Sequence, residues 1–191
     1  MEKHFHLLIA LHQGSRKLEN RVGTINNSKI MPLPLIAPTA EPVASQVPTT
    51  AQRTLIAGTS IMIGGVSTPG FFSSLQEDPN LAIIGDQNVA YNCISWSHGV
   101  TNAWNNPPAN PIAYYQALGL KTCTAGDVNK KVAVWFDADG VTTHAAIRKL
   151  VTINGQKVYS WTSKLGQSYC IAHSIDRLNG NPYGNPAMYF K

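Results

Sequence analysis

The sequence predicts an α+β domain in which a helix carrying Cys93 packs on an antiparallel sheet. Three observations carry that prediction. Asn92 stands directly before Cys93 and a helix-compatible run, residues 94–104. Asparagine is a favoured helix N-cap because its side-chain oxygen accepts an otherwise unpaired amide of the first turn. Residues 131–136, 141–152 and 156–162 are rich in β-branched and aromatic side chains, the composition of strands. Between them fall Asp139-Gly140 and Asn154-Gly155, residue pairs that suit tight hairpin turns requiring positive φ. The three strands therefore form a meander that follows the helix.

Composition narrows the function classes. A chain of 191 residues can bury one sizeable core. Charged residues make up 13%, against a typical ~25%. The net charge of +5 is spread thinly, with no more than two adjacent Lys or Arg. That pattern suits attraction to an anionic wall polymer or membrane surface, and speaks against nucleic acid as a partner. No apolar run approaches the ~20 residues of a membrane-spanning helix, so no stable membrane insertion is expected. Residues 5–11 are apolar but interrupted by His6, and they lack the basic start and cleavage site of a signal peptide. Synthesis in the cytoplasm is expected, with any export by a Sec-independent route. No P-loop, G-x-G-x-x-G or internal repeat is present, so no cofactor is expected. The three cysteines, Cys93, Cys123 and Cys170, leave at least one thiol unpaired, and no C-x-x-C spacing points to a metal.

In chain order, residues 1–22 carry His4, His6 and His12 without an acidic or cysteine partner, which favours solvated or packed histidines over a metal site. Residues 23–53 read as a linker punctuated by Pro32, Pro34, Pro38, Pro42 and Pro48. The expected division is an N-terminal segment and linker over 1–53 and a folded domain over 54–191. Residues 54–72 suggest short strands or a packed loop broken at Gly64-Gly65. Residues 73–90 read as irregular, with a turn at Asp78-Pro79-Asn80. After the Cys93 helix, Asn110, Pro111 and Gly119 bracket a second helix over 111–118. Residues 173–178 suggest a last short helix, and 181–186 a loop.

Cys93 at a first helical position is a candidate nucleophile, since the positive helix end favours the thiolate. The plain alternative is a buried thiol packing as a small hydrophobe. A thiol near its ordinary ~8.5 needs a base at neutral pH. His144, mid-strand among Thr143, Ala145 and Ala146, is the best candidate. A two-residue turn at Asn154-Gly155 pairs Ile153 with Gln156 and sets Ser163 on the His144 face, one diagonal step away. The other turn, at Asp139-Gly140, sets Asp137 opposite Thr142 on that face. The residue orienting the imidazole is therefore Ser163 or Asp137, with His173 a more distant option. Asp137 also suits a purely structural place in its turn, Ser163 a bond to backbone, and His98 a structural role.

Tyr91-Asn92-Cys93, Thr143-His144-Ala145-Ala146 and Trp161-Thr162-Ser163-Lys164-Leu165-Gly166 together resemble the NlpC/P60 and papain-like cysteine hydrolases. The likeness covers about residues 88–184, and the same motifs also look similar to a little-characterised bacterial branch of such domains. Typical NlpC/P60 members carry Asp-Cys-Ser-Gly where this chain has Asn92-Cys93-Ile94-Ser95. The resemblance implies a papain-like core with catalytic Cys93, His144 and Ser163 or Asp137. It also implies cleavage of an amide or ester bond through a thioester. A basic chain with a proline-rich leader further resembles antibacterial effectors. That likeness implies a peptidoglycan or protein substrate, Sec-independent delivery to a target cell, and an immunity protein in the producer. Protease, deamidase or transglutaminase activity on a protein stays open as an alternative. So does a non-enzymatic binding module recognising its target through Trp104, Tyr114, Tyr115 and Tyr183.

Overall fold

In the computed structural model, residues 42–58, 60–63, 66–180 and 182–191 are described, without the side chains of 60–63 and 66–68. His4, His6, His12, Pro32, Pro34, Pro38 and Gly64-Gly65 lie outside the described residues.

The segment read as linker joins the fold before residue 53. Val43 bridges Val151, and Gln46 bridges Ile83. Helix α1 then runs over Thr50–Ala57, across the expected boundary. Its start is a capping box: Thr49 accepts from the amide of Gln52, and the Gln52 side chain accepts from the amide of Thr49. Residues 55–58, expected in a strand or packed loop, are instead the last turn of this helix and its C-cap. A hairpin follows, β1 over Ser60–Ile63 and β2 over Val66–Pro69. The stretch expected to be irregular holds α2 (Ser73–Gln76) and β3 (Ala82–Gly85).

Next come α3 (Cys93–Ser97), α4 (Pro111–Ala117) and the two-residue β4 (Thr122–Cys123). The meander follows as β5 (Val132–Phe136), β6 (Thr142–Ile153) and β7 (Gln156–Lys164). β8 (Cys170–His173), a 3-10 turn over Ile175–Leu178 and β9 (Asn185–Phe190) complete the chain. Seven strands make one antiparallel sheet in the order β3-β8-β7-β6-β5-β9-β4. The class is α+β. Among the described residues, no helix is long and apolar enough to cross a membrane.

Pleat alternation gives the sheet two apolar faces. On one, Ile56, Phe72, Leu75, Leu178 and Tyr183 cover Ala133, Trp135, Ala146, Trp161 and Ile171. On the other, α3 and α4 bring Tyr91, Cys93, Ile94, Trp96 and Tyr115 onto Val132, Val134, Ala145, Ile147, Cys170 and Phe190. Burial of Tyr115 and Tyr183 removes both from the aromatics a binding surface was expected to display.

The β6–β7 register follows its turn throughout, whereas the β5–β6 register keeps to its turn only in the pairs farther from it. Asn154 and Gly155 have φ of 51° and 78°, and Ile153 pairs with Gln156. Between β5 and β6, Val132 pairs with Ile147 and Trp135 with His144. A bulge then intervenes, so Phe136, not Asp137, lies opposite Thr142.

Candidate active site

Cys93 opens α3 as the cap chemistry requires: the Asn92 side chain accepts from the amide of Ser95 at 3.0 Å. The helix is only five residues long, ending at Ser97 rather than near Trp104. His98 caps it, and Gly99 leaves it at a φ of 82°. The indole N–H of Trp96 donates to Thr162 Oγ1 at 3.0 Å and ties the helix to β7. His98 bonds Asn105 Nδ2 at 3.0 Å and Tyr114 Oη at 2.9 Å, which fixes the loop after the helix.

The sulfur of Cys93 is in a dry setting, with the residue 8% exposed. Burial pushes the thiol up to about 11. Acting against burial are hydrogen bonding from the backbone N–H groups of Ala145, Ile94 and Cys93 itself, and the nearby Lys164 ammonium. Cys93 packs with Ala145 on one face of the sheet, while Trp135 and Tyr183, which hold His144, belong to the other. Lys164 is itself buried, with Nζ bonded to the carbonyls of Gly166 at 2.7 Å and Ser168. Burial lowers it to about 8, opposed by Cys170 and Cys93.

His144 is fully buried between two aromatic rings. Tyr183 stacks on it with centroids 4.1 Å apart, and Trp135 meets it edge-on at 5.1 Å. Its Nε2 lies 2.9 Å from Ser163 Oγ. Ser163 Oγ lies 2.8 Å from Nε2 of His173, whose Nδ1 lies 2.8 Å from the carbonyl oxygen of Ser174. The Ser174 amide and hydroxyl both donate to buried Asp78. Burial, and then the charge of His173, hold His144 well below the ordinary imidazole range. Burial pushes His173 down to about 4, against the carbonyl of Ser174 and the charges of Asp78 and Asp176.

The structure thus joins His144 to Ser163 and extends the chain to His173. No hydrogen bond joins Cys93 to His144, and Nδ1 of His144 has no hydrogen-bond partner. Tyr183 packs in the layer that holds His144. Its ring covers the imidazole, and its phenol is raised by burial and then by the charge of Cys93. Asp137 is not part of the cluster. Its Oδ1 accepts the amides of Asp139 and Val141 at 3.0 and 2.9 Å and closes the β5–β6 turn. It lines a surface groove of about 640 Å³ with Phe136, Asp139, Pro182 and Asn185. All three cysteines are free. Among the described residues, no cluster of His, Cys, Asp or Glu suits a metal ion.

Residues 82–191 match the model of a family described as Domain of unknown function (DUF7689). The chain belongs to the DUF7689 family. The DUF7689 match begins at β3 and takes in Cys93, His144, Ser163, His173 and Tyr183, while Asp78 lies just before it. No curated protein and no solved structure matches the chain significantly.

Sequence reasoning missed Tyr183, Trp135, Lys164 and Asp78 as neighbours of the site. Tyr183 sits in Asn181-Pro182-Tyr183-Gly184, which carries only a loop signal. Asp78 was legible only as a turn residue. It does hold the amide of Asn80 at 2.9 Å, but its carboxylate also reaches Ser174, 96 residues away.

Proposed function

We propose that the DUF7689 domain of this chain is a cysteine hydrolase of papain-like arrangement. Cys93 is the nucleophile, His144 its base and Ser163 the residue that orients the imidazole. The observation that carries this reading is the division of labour on one ring: Nε2 of His144 is held by Ser163, while buried Nδ1 is left without a partner. A buried, unpaired ring nitrogen is costly unless it has chemical work. Cys93 packs with Ala145 in the other apolar layer, and in this proposal its sulfur supplies the proton for that nitrogen across the end of β6.

In the proposed reaction, Nδ1 of His144 takes the thiol proton as the sulfur attacks a carbonyl carbon. The tetrahedral oxyanion collapses, the leaving amine or alcohol takes the proton from His144, and a thioester on Cys93 remains. Water then loses a proton to His144 and adds to the thioester, releasing the acid and restoring the thiol. With thiol and imidazole both neutral at rest, the ion pair forms only during attack, in contrast to a pre-formed thiolate. By its resemblance to the NlpC/P60 hydrolases, the leading substrate is a peptidoglycan stem peptide. The accompanying reading is an antibacterial effector exported by a Sec-independent route and neutralised by an immunity protein. A protein amide cut, deamidated or transamidated by the same pair is the alternative substrate.

A second reading has its own observation: a thiol 8% exposed and raised to about 11 also suits a structural cysteine in a binding module.

The deciding experiment expresses the parent, Cys93→Ala and His144→Ala in periplasm and in cytoplasm, reads lysis, and analyses wall fragments by mass spectrometry. Lysis confined to the periplasm, with new fragments and loss in both variants, is the expected result. Toxicity lost in both variants without new fragments moves the substrate to protein or lipid. Activity indifferent to both substitutions returns Cys93 to the core.

A further inference from the structure

The hydrogen-bond chain behind His144 has a direction, and the backbone sets it. A carbonyl oxygen only accepts. The 2.8 Å contact between His173 Nδ1 and the carbonyl of Ser174 therefore places a proton on Nδ1. A neutral His173 then has a bare Nε2, which accepts the hydroxyl proton of Ser163 at 2.8 Å. With its one proton committed there, the Ser163 oxygen is left to accept from Nε2–H of His144 at 2.9 Å. A neutral His144 protonated on Nε2 carries its lone pair on Nδ1, the nitrogen without a partner.

We infer that the Ser174 carbonyl, His173 and Ser163 act together as a positioning relay that holds His144 in the Nε2–H tautomer, with Nδ1 as the proton acceptor. This rests on the catalytic reading above and deepens it: His173 and Ser174 become positioning residues, although neither touches the sulfur.

The packing supports a relay that keeps one polarity. Ser163, His144 and His173 are all buried, so bulk water does not compete for their protons. Ser174 is fixed in turn, its amide 2.7 Å and its hydroxyl 2.9 Å from the Asp78 carboxylate. Tyr183 and Trp135 pin the ring of His144 from its face and its edge.

The relay also reverses. If His173 gains a second proton, its Nε2–H donates to Ser163, and the Ser163 hydroxyl turns toward Nε2 of His144. The proton of His144 then belongs on Nδ1, where it blocks the thiol. The charged groups acting on His173 are Asp78 and Asp176, and both favour its protonation, while burial opposes it down to about pH 4. Facing His144 are Ser163, Tyr183, Trp135 and, through the relay, His173.

The test is nitrogen NMR on the full chain with 15N-labelled histidine, at pH 7 and without substrate. One-bond and long-range couplings report which ring nitrogen of each histidine carries the proton. The expected result is Nε2–H for His144 and Nδ1–H for His173. Ser163→Ala should turn the His144 signal into a mixture of tautomers. His173→Gln, whose amide oxygen can still accept from Ser163, should keep Nε2–H. A parent His144 protonated on Nδ1, or present as a mixture, overturns the relay whatever the reactivity of Cys93. Since the parent spectrum needs no substitution, a variant that fails to fold leaves the test intact.

Iodoacetamide alkylation of Cys93 and of Cys93 in His144→Ala, on the same samples, separates this from the catalytic reading. The expected tautomers with a Cys93 rate at least tenfold above Cys123, lost in His144→Ala, support both. The expected tautomers with a slow Cys93 support the relay and count against the hydrolase.

Discussion

Ser163 Oγ lies 2.9 Å from Nε2 of His144, although the strands that carry them have already stopped pairing. The β6–β7 ladder ends at Ile147 opposite Thr162, and beyond that point β7 pairs only with β8. That side-chain bond lies just past the last rung of the ladder.

That bond should be visible in stability. Ser163→Ala removes the hydroxyl shared by two buried imidazoles, leaving one donor and one acceptor unpaired. The expected loss is about 2 kcal/mol in urea unfolding. A cost below about 0.5 kcal/mol would show that the two histidines find other partners.

Acid should destabilise the fold before most carboxylates titrate. His173 stays neutral down to about 4 in the folded state, whereas an unfolded histidine binds its proton near ~6.5. Between those values the unfolded chain holds more protons, so stability rises with pH. The contribution is complete above about 6.5 and is lost as pH falls toward 4, by at most about 3 kcal/mol. His144 shifts in the same direction and adds to the slope. Urea midpoints at pH 7 and pH 5 should differ clearly in the parent and less in His173→Gln. A flat profile in the parent would contradict the burial of both rings.

Gly184 should tolerate no side chain. Its φ is 78°, and a Cβ there would stand 1.7 Å from the carbonyl oxygen of Phe136. Gly184→Ala should therefore cost more than about 3 kcal/mol or prevent folding. Gly126→Ala is the control, since a Cβ there meets nothing within 4 Å. Thermal melts of the two variants check this, and equal melting temperatures would refute the close approach of Gly184 to the end of β5.

Tyr183 should matter to the site as well as to the core. Tyr183→Leu keeps apolar volume but removes the stacking partners of His144 and Phe72, whose centroids lie 4.1 and 5.1 Å away. About 1 kcal/mol of stability should go with the lost ring contacts. If the catalytic reading is right, the rate should fall at least tenfold as the imidazole loses its fixed plane. The comparison of wall-fragment release by this variant and the parent reads that effect.

The elements legible in the sequence are those with local causes. Asn92 announced the helix start at Cys93, Asn110 with Pro111 announced α4, and Asn154-Gly155 set the β6–β7 register. From that register alone Ser163 falls on the His144 face. The Thr49-x-x-Gln52 box announced α1 as clearly, but the neighbouring prolines drew the segment toward an extended reading.

What needed the tertiary structure was everything carried by contacts far apart in the chain. By charge Asp137 was the stronger orienter and Ser163 the weaker, until the bulge before Thr142 left the aspartate closing its own turn. Pleat alternation says which face a side chain takes, but not where a ladder ends or bulges, because packing on both faces decides that. The thiolate that the helix start was expected to favour is instead disfavoured, the thiol being raised to about 11, because Cys93 is buried in an apolar layer drawn from elements far apart in the chain. The links from Ser163 to His173 and from Ser174 to Asp78 obey no spacing rule. They exist because β8 lies against both β7 and β3, an adjacency fixed by burial of the whole sheet and by no single segment.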